Sequence, residues 1–450
     1  MSTNSRVGVF TSRRKLLSLL AGLLLTGGAT GLATQFNRDL PAFVIVSLFQ
    51  GAVWAIAALV VLRHPDPRST LVLILATAAL LRLVALAAPA FLSDDINRYI
   101  WDGRVQAAGI NPYRYIPTDP ELELLRDTSI FPNINRNNYA PTIYPPIAQM
   151  LFLTATRFGE TALTLKLFFV LVEAVGIVTL LNILRTAGRP REHILLYVWH
   201  PLPIWEIAGS GHLDAALVTF TSLALAAAIG CQRFWSAPAL GAATLTKFFP
   251  LVLAPAIWRP ARSNSGDWRW LAAFIAVIIA AYLPYIAVGW RILGFLPGYV
   301  AEEKLGSGSG FWLLDVTRSM ISIPLAAYLG LAASVMAGLA IFALSRRPGP
   351  RSVLSWATAL GSTTLFFASP HYPWYFVWLV GLLTTAPWWP AWWLTIAAVL
   401  LYCGKETGTI PSWVGFTLYG GFVIFCIMDV ARRAVIHKRS RARCAVDCTI

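Results

Sequence analysis

Residues 69–113 read STLVLILATAALLRLVALAAPAFLSDDINRYIWDGRVQAAGINPY. Up to Ala90 the only charge is Arg82. From Ser93 onward Asp94, Asp95, Arg98, Asp102 and Arg104 crowd together, with Tyr99 and Trp101 threaded between them. About 20 apolar residues are what a helix needs to cross a hydrocarbon core of about 30 Å. The abrupt change near 91–93 therefore reads as a membrane surface, with a charged stretch lying on it.

Runs of the same kind recur along the chain. They fall near 16–35, 42–62, 69–90, 161–184, 193–209, 214–230, 271–289, 319–344, 353–369, 372–386, 388–402 and 413–430. Of the 450 residues 57% are hydrophobic and 13% charged, about half the charge of a soluble domain. The expectation is an all-α polytopic membrane protein with about 12 transmembrane helices, forming one integral-membrane domain over 1–450. Two further apolar segments, 146–159 and 236–257, are short or broken by Lys247, Pro250 and Pro255; counting both as crossings gives 14. Continuous runs, in place of alternating ten-residue ones, exclude an outer-membrane barrel.

The net charge of +15 would suggest nucleic acid in a soluble protein. Here the basic residues sit in short loops, as the positive-inside bias places them. They cluster at Arg13, Arg14 and Lys15, at Arg63 and Arg68, at Arg185, Arg189 and Arg191, at Arg259 and Arg262, at Arg346, Arg347 and Arg351, and over 432–443. With all of these inside, both termini are cytoplasmic. Segments 91–145, 209–214, 290–318, the turn at His371 and 403–412 then lie outside. The tail 431–450 is a basic topology anchor that also suits anionic lipid. The first run could pass for a signal peptide, but further spans follow it, so a retained first helix is expected. Cys231, Cys403, Cys426, Cys444 and Cys448 form no CxxC pair, so neither a zinc site nor a disulfide framework is supported.

If 93–106 is helical, Asp95, Arg98, Tyr99 and Asp102 share a face. Ser93 suits the N-cap, and Asp94 and Asp95 complement the helix dipole. A capped interfacial helix with ion pairs explains much of this, but not the "GINPYRY" turn that folds the chain back over it. Arg82 inside a span is costly and points to function or to an ion pair. Lys247 sits in a broken segment, and irregular backbone at membrane depth lines protein-buried cavities. His212 and Asp214 stand at a helix mouth, where Asp214 is either a cap or part of a binding surface. His371 precedes an aromatic cluster that suits an interfacial belt, a sugar face, or both. Glu206 and Glu173 are candidate partners for Lys247 and Lys166.

The run "SDDINRYIWDGRVQAAGINPYRY" closely resembles the first extracytoplasmic loop of the glycosyltransferase C superfamily, most of all its bacterial polytopic mannosyltransferase-type members. Asp95, Tyr99, Gly103, Arg104, Gly109, Pro112 and Tyr113 carry the match. "YPPIAQ" (144–149), "HPLPIWEIAGSGHLDA" (200–215), "LTKFFPLVLAP" (245–255) and "SPHYPWY" (369–375) resemble later family segments in order, with Tyr372 inserted between His371 and Pro373.

The resemblance implies transfer of a sugar, mannose first, from a polyprenyl-phosphate donor to an acceptor hydroxyl. A lipid, a glycan or a protein could supply that hydroxyl. Transfer would invert the anomeric centre at the outer face of a bacterial cytoplasmic membrane. It implies Asp95 as general base, with Asp94 beside it as helper, metal ligand or mere helix-start charge. Arg98, Arg104, Tyr99, Arg82, Lys247, His212, Asp214 and His371 become candidates for phosphate or substrate binding. No cofactor is implied; a divalent ion shared by the Asp pair, His212 and Asp214 is a lesser possibility, because oxygen-rich sites leave no specific pattern. Besides donor and acceptor, only membrane lipids are expected as partners, and no nucleic acid. The rival reading is a lipid-linked sugar flippase, which needs the cavity and the cations but no base.

Overall fold

The structure, a computed structural model, describes residues 3–35, 39–63, 69–230, 232–258, 267–345 and 349–447. The side chains of Arg13, Arg14, Lys15 and of residues beyond Ile436, together with Arg68, Arg259, Arg262, Arg346, Arg347, Cys231 and Cys448, lie outside that description. The described residues form helices and turns, with no strand among them. Helices α1 (Thr3–Thr34), α2 (Leu40–Arg63) and α3 (Ser69–Ala87) come first. The charged stretch forms α4 (Asp95–Ala107), and α5 (Pro146–Thr156) and α6 (Ala162–Thr186) follow the long loop.

Seven helices among the described residues are long and apolar enough to cross a membrane, so the chain is an all-α polytopic membrane protein. Four of the expected spans are shorter or broken. The 193–209 run divides into Leu195–Val198, Pro201–Pro203 and a wide-turn segment Ile204–Gly209. Pro201 and Pro203 remove backbone donors there, and the buried His200 replaces one lost bond by accepting from the Leu202 N–H at 3.2 Å. The runs at 214–230, 372–386 and 388–402 likewise appear as Asp214–Ile229, Val377–Thr385 and Trp389–Ala397, with tight-turn helix at some ends.

The two doubtful segments are helical but too short to cross. Helix α5 has 11 residues, about 16 Å at 1.5 Å per residue. Residues 236–257 form a hairpin: Ser236–Thr244 climbs, 245–248 turns, and Phe249–Leu253 with Ala254–Ile257 returns. The Leu245 carbonyl at its tip accepts from the N–H groups of Ile147 and Ala148, 3.1 and 3.3 Å. The start of α5 is thereby tied to the tip that carries Lys247.

Charges inside the bundle are paired, though not as expected. Lys166 does not meet Glu173. It donates to the carbonyls of Ala85, Leu86 and Ala88 (3.3, 3.0 and 2.6 Å), at and just past the end of α3, where carbonyls lack helical partners. Glu173, two turns further along α6, meets a deeper level of α3 and forms a two-pronged pair with Arg82, 2.9 and 2.7 Å. Arg82 also donates to the Val198 carbonyl at 2.7 Å.

Helix α4 lies against α5 through Gly103. A methyl group there would stand 2.5 Å from the Thr156 methyl and 2.6 Å from the Phe152 carbonyl oxygen. Gly103→Ala is expected to cost about 1–3 kcal/mol through this overlap. Thermal inactivation in detergent checks it; an unchanged Tm would mean that the crossing relaxes freely.

Candidate active site

Helix α4 starts where three requirements coincide. The Ser93 hydroxyl accepts the Asp95 N–H at 3.2 Å. Asp95 supplies an acidic side chain in the first turn, which favours the positive end of the dipole. Asp94 takes the capping position, but its exposed side chain makes no capping bond. At the far end Gly109 adopts φ +77° and turns the chain back. The Asn111 side chain then accepts from the Tyr113 N–H and donates to the Tyr285 carbonyl, both at 3.1 Å.

The arginines of α4 are consumed by this folding. Arg98 bonds Asp102 at 2.8 Å and the Ala140 carbonyl at 3.1 Å. Asp102 in turn accepts from Thr142 at 2.5 Å and Gln149 at 3.0 Å. Arg104 bridges Asp127 and Glu160, each at 2.8 Å. The expected phosphate grips Arg98 and Arg104 are therefore structural staples between α4, α5 and the returning loop. The loop's own carbonyls and carboxylates reach them first. Asp95, in the first turn, lies beyond that cover.

Asp95 opens into a cavity of about 840 Å³. Its carboxylate accepts from the Asn135 side chain at 2.7 Å. Burial pushes its pKa above the ordinary aspartate value, and Asn135, Lys247 and Arg136 pull against that rise. Of the ten expected residues, Asp94, Asp95, Lys247 and His371 line this cavity. Tyr99, His212 and Asp214 stand just behind its wall. Tyr99 stacks on Phe152 at 4.4 Å and its hydroxyl lies 3.4 Å from His212 Nδ1. His212 stacks on the cavity residue Trp374 at 4.5 Å. Asp214 is buried and takes Lys247 at 2.6 Å. Arg82, locked to Glu173, is not among the lining residues.

Glu206, the expected partner of Lys247, instead accepts from Tyr402 at 2.7 Å and lies 3.6 Å from His212. Lys247 thus has one carboxylate, Asp214, and rests 4.8 Å above the Tyr375 ring. Among the described residues no group of three or more His, Cys, Asp or Glu side chains is placed to hold a metal ion.

Spacing arguments passed over several cavity residues. Asn135 and Arg136 come from "NINRNNY" (133–139), and that unusually polar patch in the long loop is the one signal that would have found them. Arg136 pairs with Glu302 at 2.6 Å. Glu303 takes His371 Nδ1 at 2.7 Å and the Tyr372 hydroxyl at 3.1 Å. Lys405 donates to the Phe91 carbonyl at 2.9 Å. Tyr139, Tyr144, Tyr299, Tyr372, Trp374 and Tyr375 give the chamber aromatic faces.

An adjoining cavity of about 410 Å³ shares Tyr144, Lys247, Tyr299, Glu303 and His371 with the first. It continues along Phe248, Phe249, Val252, Leu296, Val300 and Phe311. The pair forms a polar chamber with an apolar annex, shaped for an amphiphile. Three non-glycine residues among those described have left-handed backbone: Arg136 at φ 55°, Lys304 at 53° and Ser369 at 46°. The first two line the chamber and the third lines the annex. Such strained backbone persists where surrounding structure holds it, often at functional sites.

A family model described as alpha-(1->6)-mannopyranosyltransferase, N-terminal domain, matches residues 15–261, just over half of the chain. The matched part holds Asp94, Asp95, Asn135, His212, Asp214 and Lys247; His371 and Lys405 lie beyond it. No curated protein and no solved structure matches.

Proposed function

Because the chain belongs to the alpha-(1->6)-mannopyranosyltransferase family, and is thus a membrane glycosyltransferase of the mannosyltransferase kind, we propose that it takes mannose from a polyprenyl-phosphate donor. The acceptor is a sugar hydroxyl, and transfer inverts the anomeric carbon. The observation that carries this reading is a half-buried carboxylate, Asp95, in a polar chamber continuous with an apolar annex. The chamber suits the phosphate and the two sugars, and the annex suits the first isoprene units.

In the step itself the acceptor oxygen forms a bond to C1 of the mannosyl group while the C1–O bond to phosphate breaks. Asp95 accepts the hydroxyl proton. The polyprenyl phosphate leaves with the bonding electrons, and the cations beside it hold its growing charge. Lys405 and Lys304 suit that role best, because both line the chamber and neither has a carboxylate within 4 Å among the described residues. Lys247 and Arg136 already have acidic partners. Asp94, exposed at the rim, acts through its field on Asp95. Tyr372 and Trp374, stacked at 4.7 Å, offer a face to sugar C–H groups. The bias of basic residues toward the other set of loops supports an outer position for this chamber, where a lipid-borne donor is available and a nucleotide sugar is not.

The test incubates membranes carrying the chain with radiolabelled polyprenyl-phosphate mannose or with GDP-mannose, each with α-1,6-linked mannoside acceptors. Label transfer from the lipid donor alone is expected. Transfer from GDP-mannose in the absence of polyprenyl phosphate overturns the reading.

Burial raises the Asp95 pKa and Asn135 tempers that rise, so both shape the pH dependence. Asp95 must be ionised to accept a proton, so the rate falls as pH drops through its raised pKa. The Asn135 side chain favours the ionised form. Asn135→Ala therefore raises that pKa further and moves the acid limb of the kcat profile to higher pH. A limb that stays in place, or moves to lower pH, contradicts this assignment.

A further inference from the structure

A third cavity, of about 1000 Å³, lies between α3, α6 and the helices Asp214–Ile229 and Ser236–Thr244. It belongs to the opposite end of the bundle from Asp95. Lys166 marks the outer end of α6 through its bonds to the segment just ahead of Asp95. Arg185, at the mouth of the groove, comes nineteen residues later, about 28 Å along the axis.

Val178, Phe220, Leu223, Ala227 and Ala239 give the groove an apolar floor, and Arg185 and Arg191 with Gln232 stand at its end. No Asp or Glu is among its described lining residues. Arg185 is exposed, and one of its terminal nitrogens reaches Asn182 at 2.8 Å. Arg191 is exposed too. An apolar trench ending in two unneutralised guanidinium groups complements acyl chains below an anionic head. A soluble anion would leave the trench empty, and an uncharged lipid would leave the cations without a partner.

We propose that this groove binds one anionic membrane phospholipid. Its phosphodiester lies between Arg185 and Arg191, and its chains lie along α6 and the helix Asp214–Ile229. Guanidinium groups hold phosphate through two parallel bonds, and basic pockets between transmembrane helices suit such head groups. One wall of the groove, Ser236–Thr244, rises directly to the tip that carries Lys247. The bound lipid therefore braces the hairpin from the face opposite the chamber.

The test is native mass spectrometry of the delipidated full chain with phosphatidylglycerol or phosphatidylcholine at equal concentration. Two interfacial basic residues predict roughly a 30-fold preference for the anionic lipid. Arg185→Gln with Arg191→Gln brings that preference close to parity. Ala239→Trp, which fills the trench, removes retention of both lipids while leaving the arginines in place. Both variants must elute and melt as the parent does; if the arginine pair fails to fold, Ala239→Trp alone decides. The proposal falls if the arginine variant keeps the preference, if Ala239→Trp keeps the lipid, or if millimolar inorganic phosphate displaces it.

Discussion

Asp95→Asn is expected to reduce mannosyl transfer by roughly 10²–10⁴-fold, the usual contribution of a positioned general base, while the lipid donor still binds. The exchange is nearly isosteric. It keeps the bond from Asn135 as long as the new amide presents its oxygen to that side chain, and it removes the one group in the chamber assigned to take the acceptor proton. Labelled donor retained on a filter measures binding, and release of mannosylated product measures chemistry. Loss of the second with retention of the first is the predicted pattern. Asp94→Asn, altering an exposed carboxylate, should change the rate far less. An Asp95→Asn protein that transfers at the parental rate sinks the base assignment. One that still carries labelled donor across a bilayer without transfer would make the chain a flippase.

The second large effect concerns stability. Arg82→Met should destabilise the protein by about 3–5 kcal/mol, because it leaves Glu173 as an uncompensated carboxylate in a buried place. Glu173 is fully buried and takes both prongs of the Arg82 guanidinium, and no water is at hand to replace them within a bilayer core. Arg82→Met combined with Glu173→Met should recover most of the loss, since a buried ion pair replaced by apolar residues of similar volume is often neutral or better. Thermal inactivation of the three variants in one detergent measures this. A double variant no better than the single would show that Arg82 matters mainly through the Val198 carbonyl.

The spans were legible because lipid imposes a simple requirement, about 20 apolar residues per crossing, and the chain meets it repeatedly. The position of α4 was legible for a related reason: a dense cluster of charge is tolerated where the membrane ends, whereas single charges inside it must find partners. Partners were not legible. Arg98 and Arg104 looked like phosphate grips because residue type alone does not tell which anion an arginine meets. Asp102, Asp127 and Glu160 reach them first, and two of those come from the returning loop and the turn before α6. The same gap hid the pairing of Glu173 with Arg82, which depends on which turn of α6 faces which level of α3. Asn135, Glu303 and Lys405 carry no periodic signal, since each lies in irregular chain brought to Asp95 from 40 to 310 positions away.

The chamber is assembled from two stretches of chain, on either side of the end of the family match. The carboxylates, Asn135 and Lys247 come from the part that matches the mannosyltransferase model; the opposite wall, from Tyr299 through Glu303, His371, Trp374 and Lys405, comes from the part beyond it. The proposed proton acceptor and the proposed phosphate cations thus come from different stretches of the chain. A chimera that keeps residues 1–261 and borrows its remainder from a sister protein would retain the proposed proton acceptor while exchanging Lys405 and the rest of the facing wall. Such a chimera can transfer only if the borrowed stretch restores a free cation facing Asp95.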